Sequence, residues 1–139
     1  MKIACIILNR NLPKQVDKLY CNLKKNGIDE EDIFVLEAGS DEDLVSKYMT
    51  WHANDEQTIK NGLRFNRGVN YAIKNLKKEN KFEKYNYFFM MTNDTEIFTD
   101  NWKETTLNIF NDHQKLGILI PCSKNWGEYQ LIKDSDLKY

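Results

Sequence analysis

Apolar residues along the chain fall into two patterns, short continuous runs and helically spaced sets. A continuous run of about four to eight apolar residues, without alternation, is typical of a strand that is buried on both faces of a sheet. The runs therefore predict strands at residues 3–8, 33–36, 87–91 and 117–121, and a weak strand at 49–53.

Between these runs, apolar residues recur with the spacing of amphipathic helices. Pro13 suits the first turn of one helix, and Gly27 suits its end. A later helix is expected after the N-cap residue Asp100 and ends at Gly117, and a short one is expected at residues 41–48. The apolar faces of the two clearest helices are Val16, Leu19, Tyr20 and Leu23, and Val69, Ala72, Ile73 and Leu76.

The alternation of buried strands and helices predicts an α/β fold. We expect a three-layer α/β/α arrangement with a mostly parallel central sheet that helices cover on both faces. Sheets of this kind bind ligands beyond the carboxyl ends of their strands, near a reversal of strand order. The segments directly after the strands are therefore the candidates for a site, at residues 9–11, 37–41 and 92–96.

Composition limits the class of protein and its partners. Hydrophobic residues make up 41% and charged residues 29% of the 139 residues, as in one soluble globular domain. The formal net charge of −1 argues against nucleic-acid binding by bulk charge. No apolar run approaches the ~20 residues of a membrane span, and the start lacks the pattern of a secretory signal. Three widely spaced cysteines without a CxxC pair fit a reducing compartment, so we expect a cytoplasmic protein.

The strongest chemical signal is a carboxylate directly after the strand at 87–91. Asp94 follows that strand within a short polar segment. A buried strand delivers such a side chain rigidly to the sheet edge, and Mg²⁺ and Mn²⁺ prefer oxygen ligands, often only one or two protein carboxylates. The alternative is that Asn93 and Asp94 form a polar turn, which is common for such residues at strand ends.

The segment Thr92-Asn93-Asp94-Thr95-Glu96 resembles the DxD region of family 2-type GT-A glycosyltransferases, in the branch that reads N-N-D-T-E at this point. The resemblance implies that Asp94 contacts the metal, Mn²⁺ or Mg²⁺, and that Asn93 lies near the ribose of the nucleotide. Thr92 stands where the family has its first Asp, and this departure weakens any case for metal binding by two carboxylates.

A second segment, after the strand at 33–36, is similar to the family's strand followed by D-x-G-S-x-D. Ser40 matches that motif, and Asp41 falls one position early. Glu37 replaces the Asp that in relatives hydrogen-bonds the nucleobase, and a glutamate can still accept from an imide N–H. Asp41 also suits the N-cap of the helix expected next.

A third segment, residues 64–73, resembles the family's G-F-A-G-G-N-N-x-G-I, in which Gly68 and Asn70 match and Arg64 stands at a usual glycine. A loop that leads into a helix N-terminus favours phosphate. Arg64 and Arg67 could add contacts to a diphosphate, although either could equally be a surface side chain.

Together these segments imply a metal-assisted glycosyltransferase that takes a nucleoside-diphosphate sugar, with a UDP-sugar as the first expectation, and passes the sugar to a glycan or other hydroxyl acceptor. The end of the first strand adds two residues beside the nucleotide. The implied nucleotide-binding residues are Asn9, Arg10, Glu37, Ser40, Arg64, Gly68, Asn70 and Asn93.

The resemblance covers nearly the whole chain but only the front half of the family's domain. We therefore expect residues 1–139 to form one nucleotide-sugar-binding domain that lacks the acceptor-binding half, and no residue is marked as the catalytic base. The carboxylates near the end are Glu128, Asp134 and Asp136. Two alternatives stay open: a nucleotide or nucleotide-sugar binding module without catalysis, and an unrelated doubly wound domain of the flavodoxin or receiver type.

Overall fold

The computed structural model describes residues 1–121 of the chain. The chain divides into two compact units, Met1–Lys103 and Glu104–Tyr139, and of the second only residues 104–121 are described. Several residues discussed from the sequence lie outside the described part: Cys122, Glu128, Asp134 and Asp136.

The first unit is built on a four-stranded parallel sheet. The strands are β1 (Ile3–Asn9), β2 (Ile33–Glu37), β3 (Trp51–His52) and β4 (Tyr87–Thr92). Their order is β3-β2-β1-β4, and every neighbouring pair runs parallel. The predicted α/β fold with a parallel central sheet is therefore confirmed.

Helices cover both faces of this sheet. The first unit contains α1 (Pro13–Lys25), α2 (Glu56–Asn61) and α3 (Phe65–Lys78), and α4 (Trp102–Asp112) begins at its end. Alternate β1 residues point to opposite faces. Ala4, Ile6 and Leu8 share one cluster with Ala72 and Leu76 of α3. The buried residues of α1 lie outside that cluster, and α1 contacts β1 and β2 from the other face.

The continuous burial of β1 explains why its sequence reads as an uninterrupted apolar run. All seven of its residues are buried, since helices cover both faces and strands flank both edges. Gly68 lets α3 approach this strand closely, because a Cβ added there would lie 3.1 Å from Leu8 Cδ1. Packing on β1, rather than backbone strain, is therefore the structural reason for a glycine at this position.

The structure differs from the sequence expectations at the weaker elements. The helix expected at 41–48 is only a 3₁₀ turn at Glu42–Leu44, and the strand expected at 49–53 shortens to β3. The strand predicted at 117–121 is wrong: these residues form no regular element, and Ile118 is 78% exposed. The described part of the second unit contains no strand, so this apolar run has no neighbour there with which to form a ladder.

In the part of the chain that the structure describes, no helix is long and apolar enough to cross a membrane. The longest described helix, α3, has 14 residues, whereas a spanning helix needs about 20.

Candidate functional site

The strand order reverses between β1 and β4, and this reversal defines the candidate site. The chain adds β2 and then β3 on one side of β1 before it returns to add β4 on the other. In open parallel sheets, the crevice at such a reversal, beyond the carboxyl ends of the strands, is where ligands bind. Here Asn9 ends β1 and Thr92 ends β4, so residues 9–11 and 92–96 meet at the reversal, and residues 37–41 lie beside residues 9–11 at the same edge of the sheet.

Asn93 joins the ends of the two strands. Its Nδ2 donates to Asn9 Oδ1 at 3.1 Å and lies 3.5 Å from the backbone oxygen of Arg10. Asn9 is 1% exposed, and its Oδ1 also accepts from the backbone N–H of Leu12. The amide of Asn9 is thus fixed from both sides, and it holds the loop that carries Asp94.

Glu37, at the end of β2, is fully buried and accepts three hydrogen bonds from the protein. Its Oε2 accepts from Asn9 Nδ2 at 2.8 Å and from Ser40 Oγ at 2.5 Å. Its Oε1 accepts from the backbone N–H of Ser46 at 2.8 Å. The contact with a nucleobase stays a prediction, because Glu37 has no exposed surface and a ligand group could reach it only if the surrounding residues moved.

Ser40 ties the loop after β1 to the loop after β2. Its hydroxyl donates to Glu37 and accepts from the backbone N–H of Asn11 at 3.1 Å. Asn11 has a positive φ of 58°, which asparagine tolerates better than most residues. Its side chain pairs with the side chain and the backbone of Asp41. Ser40 therefore supports the edge of the sheet from within, since it is itself buried.

Arg10 is directed toward α2. Its Nη2 donates to the backbone oxygens of Ile59 at 3.0 Å and Lys60 at 3.4 Å. A guanidinium suits the last turn of a helix, where carbonyl oxygens lack partners. Gly62 makes room for it, because a Cβ there would lie 2.6 Å from Arg10 Nη1. The arginine predicted beside the nucleotide thus holds the C-terminus of α2 in this structure.

The segment at 64–73 forms the N-terminal half of α3. Arg64 occupies its N-cap position without a side-chain capping bond, and both Arg64 and Asn70 are exposed. The backbone N–H of Gly68 donates to the Arg64 oxygen at 2.9 Å, so Gly68 contributes close packing rather than a free amide. Among the described residues no hydrogen bond or ion pair joins Arg64 or Asn70 to Asn93 or Asp94, although the sequence predicts all four for one nucleotide site.

Asp94 is exposed and is oriented by the residue that ends β4. The hydroxyl of Thr92 donates to its Oδ1 at 2.5 Å, and the backbone N–H of Thr95 donates to the Thr92 oxygen at 3.0 Å. This is the polar turn that the sequence allowed as an alternative. The turn and a ligand role are compatible, because it presents the carboxylate to solvent at the reversal of strand order.

The donor set around Asp94 fits a cation shared with a ligand better than a metal site made of protein alone. Among residues 1–121, no cluster of three or more histidine, cysteine or acidic side chains could hold a metal ion. Mg²⁺ often takes one or two protein carboxylates and completes its shell with phosphate oxygens and water. Asp94 alone meets that smaller requirement.

A groove of about 410 Å³ opens beside Asp94, between residues 93–98 and one face of α1. Lys18 of α1 reaches across it to Glu96, with 3.2 Å between Lys18 Nζ and Glu96 Oε1. The volume of the groove lies in the range of small-molecule sites. The apolar pattern of α1 does not predict this wall, which a second, mostly polar stripe at helical spacing forms: Gln15, Lys18, Leu19 and Asn22.

No protein-family model, no curated protein and no solved structure matches the chain. The fold and the site define it as an α/β protein with a parallel sheet and a candidate ligand site at the reversal of strand order. Any function must therefore be argued from the residues of this edge.

Proposed function

We propose that the chain is the nucleotide-sugar-binding part of a glycosyltransferase that moves a sugar from a nucleoside-diphosphate sugar, first of all a UDP-sugar, to an acceptor hydroxyl. One observation carries the proposal: the exposed carboxylate of Asp94 directly follows β4 at the reversal of strand order. Beside it, Asn93 bridges the ends of β1 and β4.

In this proposal Asp94 holds Mn²⁺ or Mg²⁺ together with the diphosphate of the donor. When bound, the cation offsets the negative charge that develops on the leaving diphosphate. The side-chain nitrogen of Asn93 is used by Asn9 and Arg10. Its side-chain oxygen is the atom proposed to face the ribose. The exposed guanidinium of Arg64, at the N-terminus of α3, is the side chain proposed for the phosphates.

A binding module without catalysis is the second candidate, and the state of Glu96 favours it. Asp94 and Glu96 are the carboxylates that line the groove. Glu96 Oε1 is paired with Lys18 Nζ, so apart from Asp94, the proposed metal ligand, the described lining of the groove holds no carboxylate without an ion pair to act as a general base. Release of UDP from a UDP-sugar in the presence of an acceptor would support the transferase. Binding without turnover would support the module.

Replacing Asp94 with asparagine tests the site directly. Asp94→Asn should weaken UDP binding in the presence of Mn²⁺ by about 1–3 kcal/mol, roughly fivefold to 150-fold, because a charged ligating oxygen is lost. The fold should survive, because the side chain is exposed. Isothermal titration calorimetry with UDP, with and without Mn²⁺, measures the effect.

Asp29→Asn is the matched control, since Asp29 is also an exposed aspartate but precedes β2 at the opposite edge of the sheet. It should bind UDP and Mn²⁺ as the parent does. Parental binding by Asp94→Asn in Mn²⁺ would show that the carboxylate does not hold the cation, and the proposed site would then be wrong.

A further inference from the structure

The groove beside Asp94 has walls of mixed chemistry. From α1, Gln15 and Asn22 contribute amides and Lys18 an ammonium group. From residues 93–98 come a further amide, a hydroxyl and the carboxylates of Asp94 and Glu96. The groove therefore offers hydrogen-bond donors and acceptors together, which suits a ligand with many hydroxyl groups, since each hydroxyl both donates and accepts.

The charge of the lining argues against an anionic occupant. One lysine faces two carboxylates across the groove, and Lys18 already pairs with Glu96. A ligand carboxylate or phosphate would meet a net negative surface unless it brought its own cation, because like charges at close range repel. A neutral ligand meets no such barrier.

Apolar side chains complete one side of the groove. Leu19, Ile97 and Phe98 lie among its lining residues, and Phe98 is 80% exposed. A concave surface that is mostly apolar and carries a few polar groups is typical of a small-molecule site. The flat ring can pack against the C–H face of a pyranose while the amides reach the ring hydroxyls.

The ion pair across the groove is weak enough to yield to a ligand. The side chains of Lys18 and Glu96 are 80% and 57% exposed, and exposed pairs of this kind contribute little free energy. Ligand hydroxyls can therefore replace the contact between them at small cost, with each charged group still hydrogen-bonded.

We propose that this groove binds a neutral saccharide. Where the proposed function holds, the groove is the acceptor subsite, because it opens directly beside Asp94, and this assignment rests on the proposed function. The assignment of a saccharide to the groove does not depend on the proposed function, because it is argued from the lining residues alone. Phe98 then acts as the stacking residue, and Gln15 and Asn22 read the hydroxyls.

Titration of the isotope-labelled full chain, followed by amide NMR, tests this inference. The probes are methyl glucoside, methyl galactoside and methyl N-acetylglucosaminide, with glucuronate as the anionic counterpart. At least one neutral glycoside should give saturable shifts at the amides of Gln15, Lys18 and Asn22, and glucuronate should bind more weakly. Phe98→Ala should weaken that binding roughly threefold to tenfold, as expected for loss of one aromatic packing contact.

Met49→Ala is the control, because Met49 is another exposed apolar residue of the first unit, outside the groove. It should leave glycoside binding unchanged, and Phe98→Ala should leave UDP binding in Mn²⁺ unchanged. If none of the three glycosides shifts these amides, or if Phe98→Ala binds them as the parent does, the groove assignment is wrong. Glycoside binding without any nucleotide binding would instead overturn the proposed function and leave the groove assignment standing.

Discussion

At the scale of single residues, Glu37 connects the ends of β1 and β2 to the loop that follows. Asn9, Ser40 and Ser46 all donate to it, and Asn9 in turn accepts from Asn93. Because Glu37 has no exposed surface, water could not replace the carboxylate as the acceptor if it were lost, and the donors would be left without a hydrogen-bond partner. The carboxylate therefore orients the amide on which the Asp94 loop rests.

Glu37→Gln should destabilise the fold by about 1–3 kcal/mol, the cost of leaving one buried polar group without a partner. Oε2 accepts from two donors and Oε1 from one. The glutamine oxygen should therefore take the Oε2 position, and its amide should face the N–H of Ser46. Urea denaturation followed by circular dichroism measures the loss.

Glu42→Gln serves as the comparison, since Glu42 is an exposed glutamate in the neighbouring 3₁₀ turn, and it should change stability little. A Glu37→Gln protein of parental stability that prefers a different nucleotide would contradict the positioning role. It would support instead the direct nucleobase contact that the sequence predicts.

The positions of the site residues could be predicted from sequence, whereas their partners could not. Asn9, Asn93 and Asp94 follow apolar runs that predict strands, and strand ends in a parallel sheet share one edge. Buried Glu37 accepts a hydrogen bond from Asn9, 28 residues away. No local sequence pattern predicts a contact over that separation. The partners of Arg10 are also distant in sequence, because they are backbone oxygens of α2. The sequence alone therefore suggests a ligand contact for Arg10 instead.

At the scale of elements, the contact of α3 with β1 depends on Gly68. Gly68→Val should destabilise the fold by about 1–3 kcal/mol, because its methyl groups would overlap Leu8, whose Cδ1 lies 3.1 Å from the added Cβ. Gly68→Ala should stay within about 1 kcal/mol of the parent, since alanine favours the helix while Leu8 shifts slightly. Thermal and urea unfolding compare the variants.

Lys74→Val controls for the helix propensity of valine, because Lys74 is exposed on the same helix. Lys74→Val should lower the free energy of unfolding clearly less than Gly68→Val does. Equal losses at the two positions would show that propensity, and not packing on Leu8, sets the effect.

Elements with a strong apolar pattern were predictable, and short polar ones were not. Apolar runs predict β1, β2 and β4, and apolar faces predict α1 and α3. α2 escaped because Glu56–Asn61 has a single buried residue, Thr58. Its only signal was the N-cap Asp55, whose side chain accepts from Thr58 N. β3 was expected as a weak strand at 49–53 and has only two residues. The hydroxyl of Thr50, just before it, accepts from the backbone N–H of Val35 in β2, a tertiary contact that the sequence does not show.

At the scale of the whole molecule, nucleotide and cation should stabilise the fold together more than separately. Asp94 is a single carboxylate without a cluster of ligands among residues 1–121, so Mn²⁺ alone should bind weakly. With UDP present, both ligands bind the folded state, and the melting temperature should rise by mass action. Differential scanning fluorimetry with UDP, Mn²⁺ and their mixture measures the three shifts.

The mixture should raise the melting temperature by more than the sum of the separate shifts. Asp94→Asn should remove that excess while keeping the shift caused by UDP alone. Additive shifts in the parent protein would mean that nucleotide and cation bind independently, contrary to a cation shared between Asp94 and the diphosphate.

The pairing of β1 with β4 also has a consequence for how the chain folds. Asn9 and Asn93 are 84 residues apart, and closing so long a loop carries an entropic cost that slows folding. During synthesis, β1 and β2 are both available well before β4 leaves the ribosome. The ligand edge therefore forms only when β4 docks on β1, so a bound ligand reports that these two strands are paired and should slow the detachment of β4.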